Sequence, residues 1–163
     1  LIKNNMIKPY DRISAVNYAL KYGLSPNPDY YFFGGIGGDC TNFTSQCIYA
    51  GSKVMNYDIY NGWYYINSSS RAPSWTGVKF FQEFILNNTS LGPFGKLVEK
   101  DELELGDIIQ LKQQNVFNHS LIITKIENNQ IFISSHSSNE LNRPLNTYFY
   151  NEILFIKIMG VRN

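Results

Sequence analysis

The stretch FFGGIGGDCTNFTSQCIYAG, residues 32–51, decides how the chain is read. Four glycines (Gly34, Gly35, Gly37 and Gly38) describe a loop of free backbone geometry, and Asp39 stands where a helix cap is favoured. Cys40, Phe43, Cys47 and Ala50 then recur at helical spacing until Gly51. The spacing predicts a buried helix whose first turn begins at Cys40. A helix start carries partial positive charge and unsatisfied N–H groups, which favour a thiolate and can hold the oxyanion of acyl transfer. Asp39 and Cys40 occupy that end, with Gly37 and Gly38 letting a substrate approach the backbone. Cys47 lies two turns deeper and reads as a small apolar filler.

The two cysteines are seven positions apart, which on a helix is about 10 Å of rise. A disulfide needs its α-carbons within about 7 Å, so no intrachain bridge is expected. Zinc-ligand cysteine pairs are closer in sequence than this.

Upstream, Asp11 precedes Ile13, Val16, Ala19 and Leu20, the spacing of a short amphipathic helix that Gly23 closes before Pro26 and Pro28. Downstream, residues 52–76 are rich in Tyr, Ser, Asn and Trp without a period and read as long loops. They carry Trp63 and Trp75, which either wall a substrate cleft or cover the core. Residues 78–88 place Val78, Phe81 and Ile85 on one helical stripe. The pattern then changes to strands at 103–111, 118–126, 130–137 and 152–160, with Asn128-Asn129 a hairpin signal between the second and third. Helices first and an antiparallel sheet afterwards is an α+β order, and the 163 residues suit a single domain over 1–163.

A nucleophilic cysteine needs a base, and the chain has two histidines, His119 and His136. A two-residue turn at Asn128-Asn129 sets Glu127 opposite Gln130. Extending that ladder sets His119 opposite Ser138, with His136 two residues away on the same face. The expected unit is therefore Cys40 as nucleophile, His119 as base and His136 as the third polar group that orients it. A register shift of one residue would give that third role to Asn139 or Ser137. Two histidines and a cysteine could instead bind zinc. The helix start already explains Cys40 without a metal, so neither metal nor cofactor is expected.

Lys and Arg number 14 against 13 Asp and Glu, scattered along the chain, which gives no electrostatic footprint for nucleic acid or an anionic membrane. No stretch approaches the roughly 18 apolar residues of a membrane span, so membrane insertion is not expected. The chain begins at Leu, as a fragment or a mature form freed of an export signal would.

The segments GGDCTNFTSQCIYAG, WYY, SW, ELGDIIQ, NHSLIIT and SSHSSNELNRPL together closely resemble the bacterial putative amidase domain family, a relative of the NlpC and CHAP branches of papain-like cysteine peptidases. The similarity runs from about Tyr10 to about Leu145, and DCTNF and NHSLIIT are its specific parts. The resemblance implies a papain-like α+β fold in which the helix carrying Cys40 packs on an antiparallel sheet carrying the histidines. It implies Cys40 as nucleophile, His119 as base and His136 at the third position. It also implies peptide or peptidoglycan-derived substrates and a secreted or wall-associated location. Two rivals remain open on the sequence: a wall-peptide binding module with a vestigial site, and an acyl transferase of transglutaminase type, which shares the Cys-then-His order.

Overall fold

The computed structural model describes residues 6–34 and 38–163. Gly35 and Gly37 of the glycine loop lie outside the described residues. The elements in chain order are β1 (Ile7–Lys8), α1 (Arg12–Tyr22), α2 (Cys40–Ser52), β2 (Tyr65–Asn67), β3 (Ser70–Arg71), α3 (Pro73–Thr76) and α4 (Val78–Asn87). The strands β4 (Gly92–Leu97), β5 (Ile108–Gln113), β6 (Val116–Glu127), β7 (Gln130–Ser135), β8 (Glu140–Pro144) and β9 (Glu152–Arg162) follow. The α+β order expected from the sequence is the order observed.

The main sheet has seven strands in the order β1-β9-β5-β6-β7-β8, with β4 on β9, and every pairing is antiparallel. Period-two alternation divides its apolar residues between two faces. Ile108, Ile122, Ile156 and Ile158 pack with the helices, alongside Phe43, Cys47, Ile48, Phe81 and Ile85. On the other face Ile109, Leu111, Leu121, Ile123, Ile131 and Ile133 form a second cluster closed by Leu103 and Leu145. Each such fully buried side chain contributes about 1.5–3 kcal/mol of transfer free energy, so two cores hold the sheet from both sides.

Asp11 caps α1 as its position suggests, accepting from Ser14 N at 3.0 Å. The buried stripe of that helix is Ala15, Val16 and Ala19, whereas Ile13 is 74% exposed and Leu20 39% exposed. The stripe is thus rotated towards the small residues, which let α1 approach α2 closely. The long segment after α2 is more ordered than its composition suggested. It contains a bridge between Asn56 and Trp63, the β2–β3 hairpin and the short helix α3 begun by Pro73. Trp63 and Trp75 are both fully buried in the helix-side core, so neither walls a cleft. Their rings lie 4.6 Å apart between centroids.

The ELGDIIQ segment ties the first helix to the sheet. Gly106 turns the chain with φ of 85°, a conformation that favours glycine, and delivers Asp107 to a fully buried position. The Asp107 carboxylate accepts from Arg12 Nη1 at 2.7 Å, Ile158 N at 2.9 Å and Glu104 N at 2.8 Å. Burial pushes this carboxyl above its ordinary pKa, and the Arg12 hydrogen bond pulls the other way. Replacing Asp107 by Ala leaves the N–H groups of Ile158 and Glu104 without their acceptor and takes one partner from Arg12, which keeps Leu105 O and Ile158 O. The expected loss is about 3–5 kcal/mol of unfolding free energy, read from urea denaturation.

Candidate active site

Helix α2 begins at Cys40, the residue the glycine-loop reading selected. Eleven of its thirteen residues are buried, including Thr41, Asn42, Ser45 and Gln46. Each of these four polar side chains has a partner: Thr41 Oγ1 with Ser120 Oγ at 2.9 Å, Asn42 Nδ2 with Tyr31 O at 2.9 Å, Ser45 Oγ with Trp75 O at 2.9 Å, and Gln46 Oε1 accepting from Tyr18 Oη at 2.6 Å. The indoles of Trp63 and Trp75 donate to Ser45 Oγ and Asn42 Oδ1 at 3.0 Å each. Buried polar groups cost little when paired in this way. The tryptophans therefore hold α2 from behind.

Both cysteines are free. Cys47 is fully buried in the core, and burial pushes its thiol well above the ordinary pKa, which suits an inert filler. Cys40 is 6% exposed at the helix start. Its Sγ lies 3.9 Å from Asn118 O and 3.8 Å from Thr41 Oγ1. Asn118 immediately precedes His119. Among the described residues the sulfur makes no hydrogen bond to the His119 ring.

Asp39 is the N-cap residue by position, and its backbone carbonyl accepts from Phe43 N at 3.0 Å. Its side chain makes no cap hydrogen bond, contrary to the expectation for a capping Asp. The carboxylate turns inward instead. Oδ1 accepts from Phe33 N at 2.8 Å and Asn42 Nδ2 at 2.9 Å, and Oδ2 lies 2.6 Å from His136 Nδ1.

His136 is accordingly engaged at both ring nitrogens. Its Nε2 lies 2.7 Å from Tyr22 O, and because a carbonyl can only accept, the proton there is on Nε2. Phe43 stacks on the ring at 3.8 Å between centroids. The expectation that His136 orients His119 is therefore corrected: the structure does not bring the two rings into a pair.

The reason is a β-bulge. Glu127 does face Gln130, but the β6–β7 register shifts between Ile123 and Lys125, leaving Thr124 as an extra residue. Ile122 then faces Ser134, and in that register His119 faces Ser137 rather than Ser138. Ser137 Oγ lies 3.0 Å from His119 Nδ1. His136 lies on the opposite side from Ser137, on the helix-covered face. Asn139, the other candidate for the third position, makes no hydrogen bond with His119. A second bulge, in the β5–β6 pairing, leaves Asn118 as the extra residue between the pairs Leu111–His119 and Lys112–Phe117. It is the carbonyl of this residue that meets the Cys40 sulfur.

His119, Asn118, Ser137, Ser138, Arg143 and Tyr148 line an open cleft of ≈ 450 Å³. A larger cavity of ≈ 710 Å³ beside α4 contains none of the candidate site residues. Burial lowers the His119 pKa from 6.5 to about 4, with the Arg143 charge a further cause. The ring is thus neutral near neutral pH and able to accept a proton. Arg143 and Tyr148 are neighbours that the residue pattern gave no reason to single out. No group of three or more His, Cys, Asp or Glu side chains among the described residues is placed to hold a metal ion. Among the described residues no helix is long and apolar enough to cross a membrane.

Residues 9–159 match the family described as a putative amidase domain, and the chain belongs to that family. At that level it is grouped with amide-bond hydrolases. It is 27% identical over 147 residues to the uncharacterized protein YjcM of Bacillus subtilis (strain 168), covering 85% of this chain and 33% of that protein. It is 36% identical over 119 residues to the uncharacterized protein YhbB of the same organism, covering 70% of this chain and 37% of that one. The chain thus spans about a third of the length of these curated relatives. No solved structure shows a significant match.

Two measurements separate the roles of the imidazoles. His136→Ala leaves the Asp39 carboxylate buried without its partner and is expected to cost about 3–5 kcal/mol in urea unfolding. His119 has a folded pKa below its ordinary value, so its contribution to stability is complete above about pH 6.5 and is lost as pH falls towards 4. The urea midpoint of the wild type is expected to fall through that window more steeply than that of His119→Gln.

Proposed function

We propose that the chain is a cysteine-dependent amide hydrolase in which Cys40 is the nucleophile, His119 the general base and Ser137 the residue that orients His119. The observation that carries this reading is the approach of the Cys40 sulfur to the Asn118 carbonyl, one residue from a neutral imidazole whose Nδ1 is already held. With Nδ1–H donating to Ser137 Oγ, the lone pair of Nε2 is left for the thiol proton. In the free protein the sulfur rests on the Asn118 carbonyl. Contact with Nε2 forms when substrate enters, as catalytic hydrogen bonds often tighten only in the complex.

The thiolate then attacks the amide carbon, and the oxyanion is held by N–H groups at the start of α2. Collapse of this intermediate expels the amine, which takes the proton from His119 and leaves a thioester. Water activated by His119 hydrolyses the thioester and regenerates the thiol. The proposal extends to bacterial cell-wall peptides as the substrate class and to action outside the cytoplasm, which the resemblance to the NlpC and CHAP branches implies.

The test is to incubate the protein with peptidoglycan and identify the released fragments by mass. New amine and carboxyl ends are expected with the wild type and none with Cys40→Ala, whose fold is unchanged by circular dichroism. A Cys40→Ala protein that still releases fragments would refute the assignment. Ser137→Ala is expected to retain the thiol but to lower turnover by about 10- to 100-fold, since a misoriented base is less effective. Products carrying an added amine in place of water would instead indicate acyl transfer.

A further inference from the structure

A row of hydrogen bonds runs from the surface to the Cys40 sulfur. It starts at Lys79, whose ammonium donates to Gln82 Oε1 at 2.7 Å. Gln82 Nε2 donates to Gln110 Oε1 at 3.0 Å, and Gln110 Nε2 donates to Val78 O at 3.0 Å and to Ser120 Oγ at 3.2 Å. Ser120 Oγ lies 2.9 Å from Thr41 Oγ1, which lies 3.8 Å from Cys40 Sγ. Gln82, Gln110, Ser120 and Thr41 are all buried. The row thus passes from α4 through β5 and β6 to the first turn of α2.

Its direction follows from groups that act in one sense only. An ammonium can only donate and the Val78 carbonyl can only accept, which fixes the orientation of both amides. Ser120 Oγ therefore accepts from Gln110 and keeps its own proton to give. Among the described residues the remaining side-chain partner of Ser120 Oγ is Thr41 Oγ1. A buried hydroxyl proton without an acceptor costs free energy, so Ser120 donates to Thr41. The Thr41 proton is then left for the sulfur, and the thiol proton has Asn118 O, at 3.9 Å, as its acceptor. Each donor along the row is thereby satisfied. Loss of the thiol proton changes what the sulfur needs. The Asn118 carbonyl cannot donate to a thiolate, whereas the Thr41 hydroxyl already can.

We infer that the Thr41 hydroxyl is a further catalytic group, which donates a hydrogen bond to the Cys40 sulfur and holds it as a thiolate. The inference rests on the reading of Cys40 as nucleophile. The thiol proton leaves to His119 as before, and Thr41 keeps its own. A hydrogen bond to an ionised acceptor is roughly twice as strong as one between neutral groups, so the contact favours the reactive form over the resting one.

Thr41→Val removes the hydroxyl at similar volume, Thr41→Ala removes it without the added methyl, and Thr41→Ser keeps it. Alkylation of Cys40 by iodoacetamide, located by mass so that Cys47 is not counted, is followed as a function of pH. In Thr41→Val and Thr41→Ala, alkylation near neutral pH is expected to slow by about 3- to 30-fold. The rate reached at alkaline pH, where the thiolate forms without help, is expected to stay at the wild-type value. Thr41→Ser is expected to follow the wild type throughout. The titratable groups near Cys40 are Asp39 in its pair with His136, the His119 imidazole and the Tyr148 phenol, which feels the Cys40 charge. They are the same in every variant, so displacement of the profile reads the hydroxyl. A wild-type profile in Thr41→Val and Thr41→Ala overturns the inference. A slowing that persists at alkaline pH, or that Thr41→Ser shares, also overturns it, since packing and not the hydroxyl would be the cause. Alkylation needs no turnover, so failure here is distinct from failure of the proposed function, which the peptidoglycan test reads. A Cys40→Ala protein that still releases fragments removes both.

Discussion

The contact between Asp39 and His136 organises the region on which any chemistry here depends. Both side chains are 1% exposed, and their atoms lie 2.6 Å apart. Burying such a pair is costly unless the remaining hydrogen-bonding capacity is also met. Here it is met by segments far apart in sequence: Phe33 beside the glycine loop, Asn42 in the first turn of α2, and Tyr22 at the end of α1. With Phe43 stacked on the imidazole, the end of β7 is fastened to the start of α2. Cys40 follows Asp39 directly, so the position of its sulfur is inherited from this junction.

The polar face of α2 makes sense in the same terms. TNFTSQ looks amphipathic, yet both faces are covered, because the segment after the helix returns two tryptophans against it. Each indole supplies one N–H to a helix side chain and a large apolar surface to the core. A rigid helix is needed when its first residue must meet a strand end precisely enough for chemistry. The aromatic residues meet that need by packing and lie away from the cleft.

Much of this was legible from the residues. The helix start at Cys40, the filler role of Cys47, the Asn128-Asn129 turn and the strands β5, β6, β7 and β9 all carry strong local patterns. Strands β4 and β8 did not, because GPFGKL and ELNRP contain the Gly and Pro that argue against a strand, and only pairing at the side of β9 and the edge beside β7 makes them one. Asp39 was misjudged because residue preference at a helix start cannot reveal a distant imidazole competing for the carboxylate. Tryptophans in a long aperiodic segment could be placed only by tertiary packing. The third residue beside His119 was open because residue counting assumes an unbroken ladder, and a bulge leaves no mark in composition. Tyr148 and Arg143 had no sequence signal beyond following the last quoted segment or falling within it.

The surplus residue at Thr124 acts as a parity switch. Strand geometry gives each position one of two sides, and an odd insertion exchanges the sides of everything beyond it. With it, one imidazole serves the cleft and the other serves the architecture. Without it, the two imidazoles would face the same way. A single surplus residue thus separates the duties of two histidines without altering either.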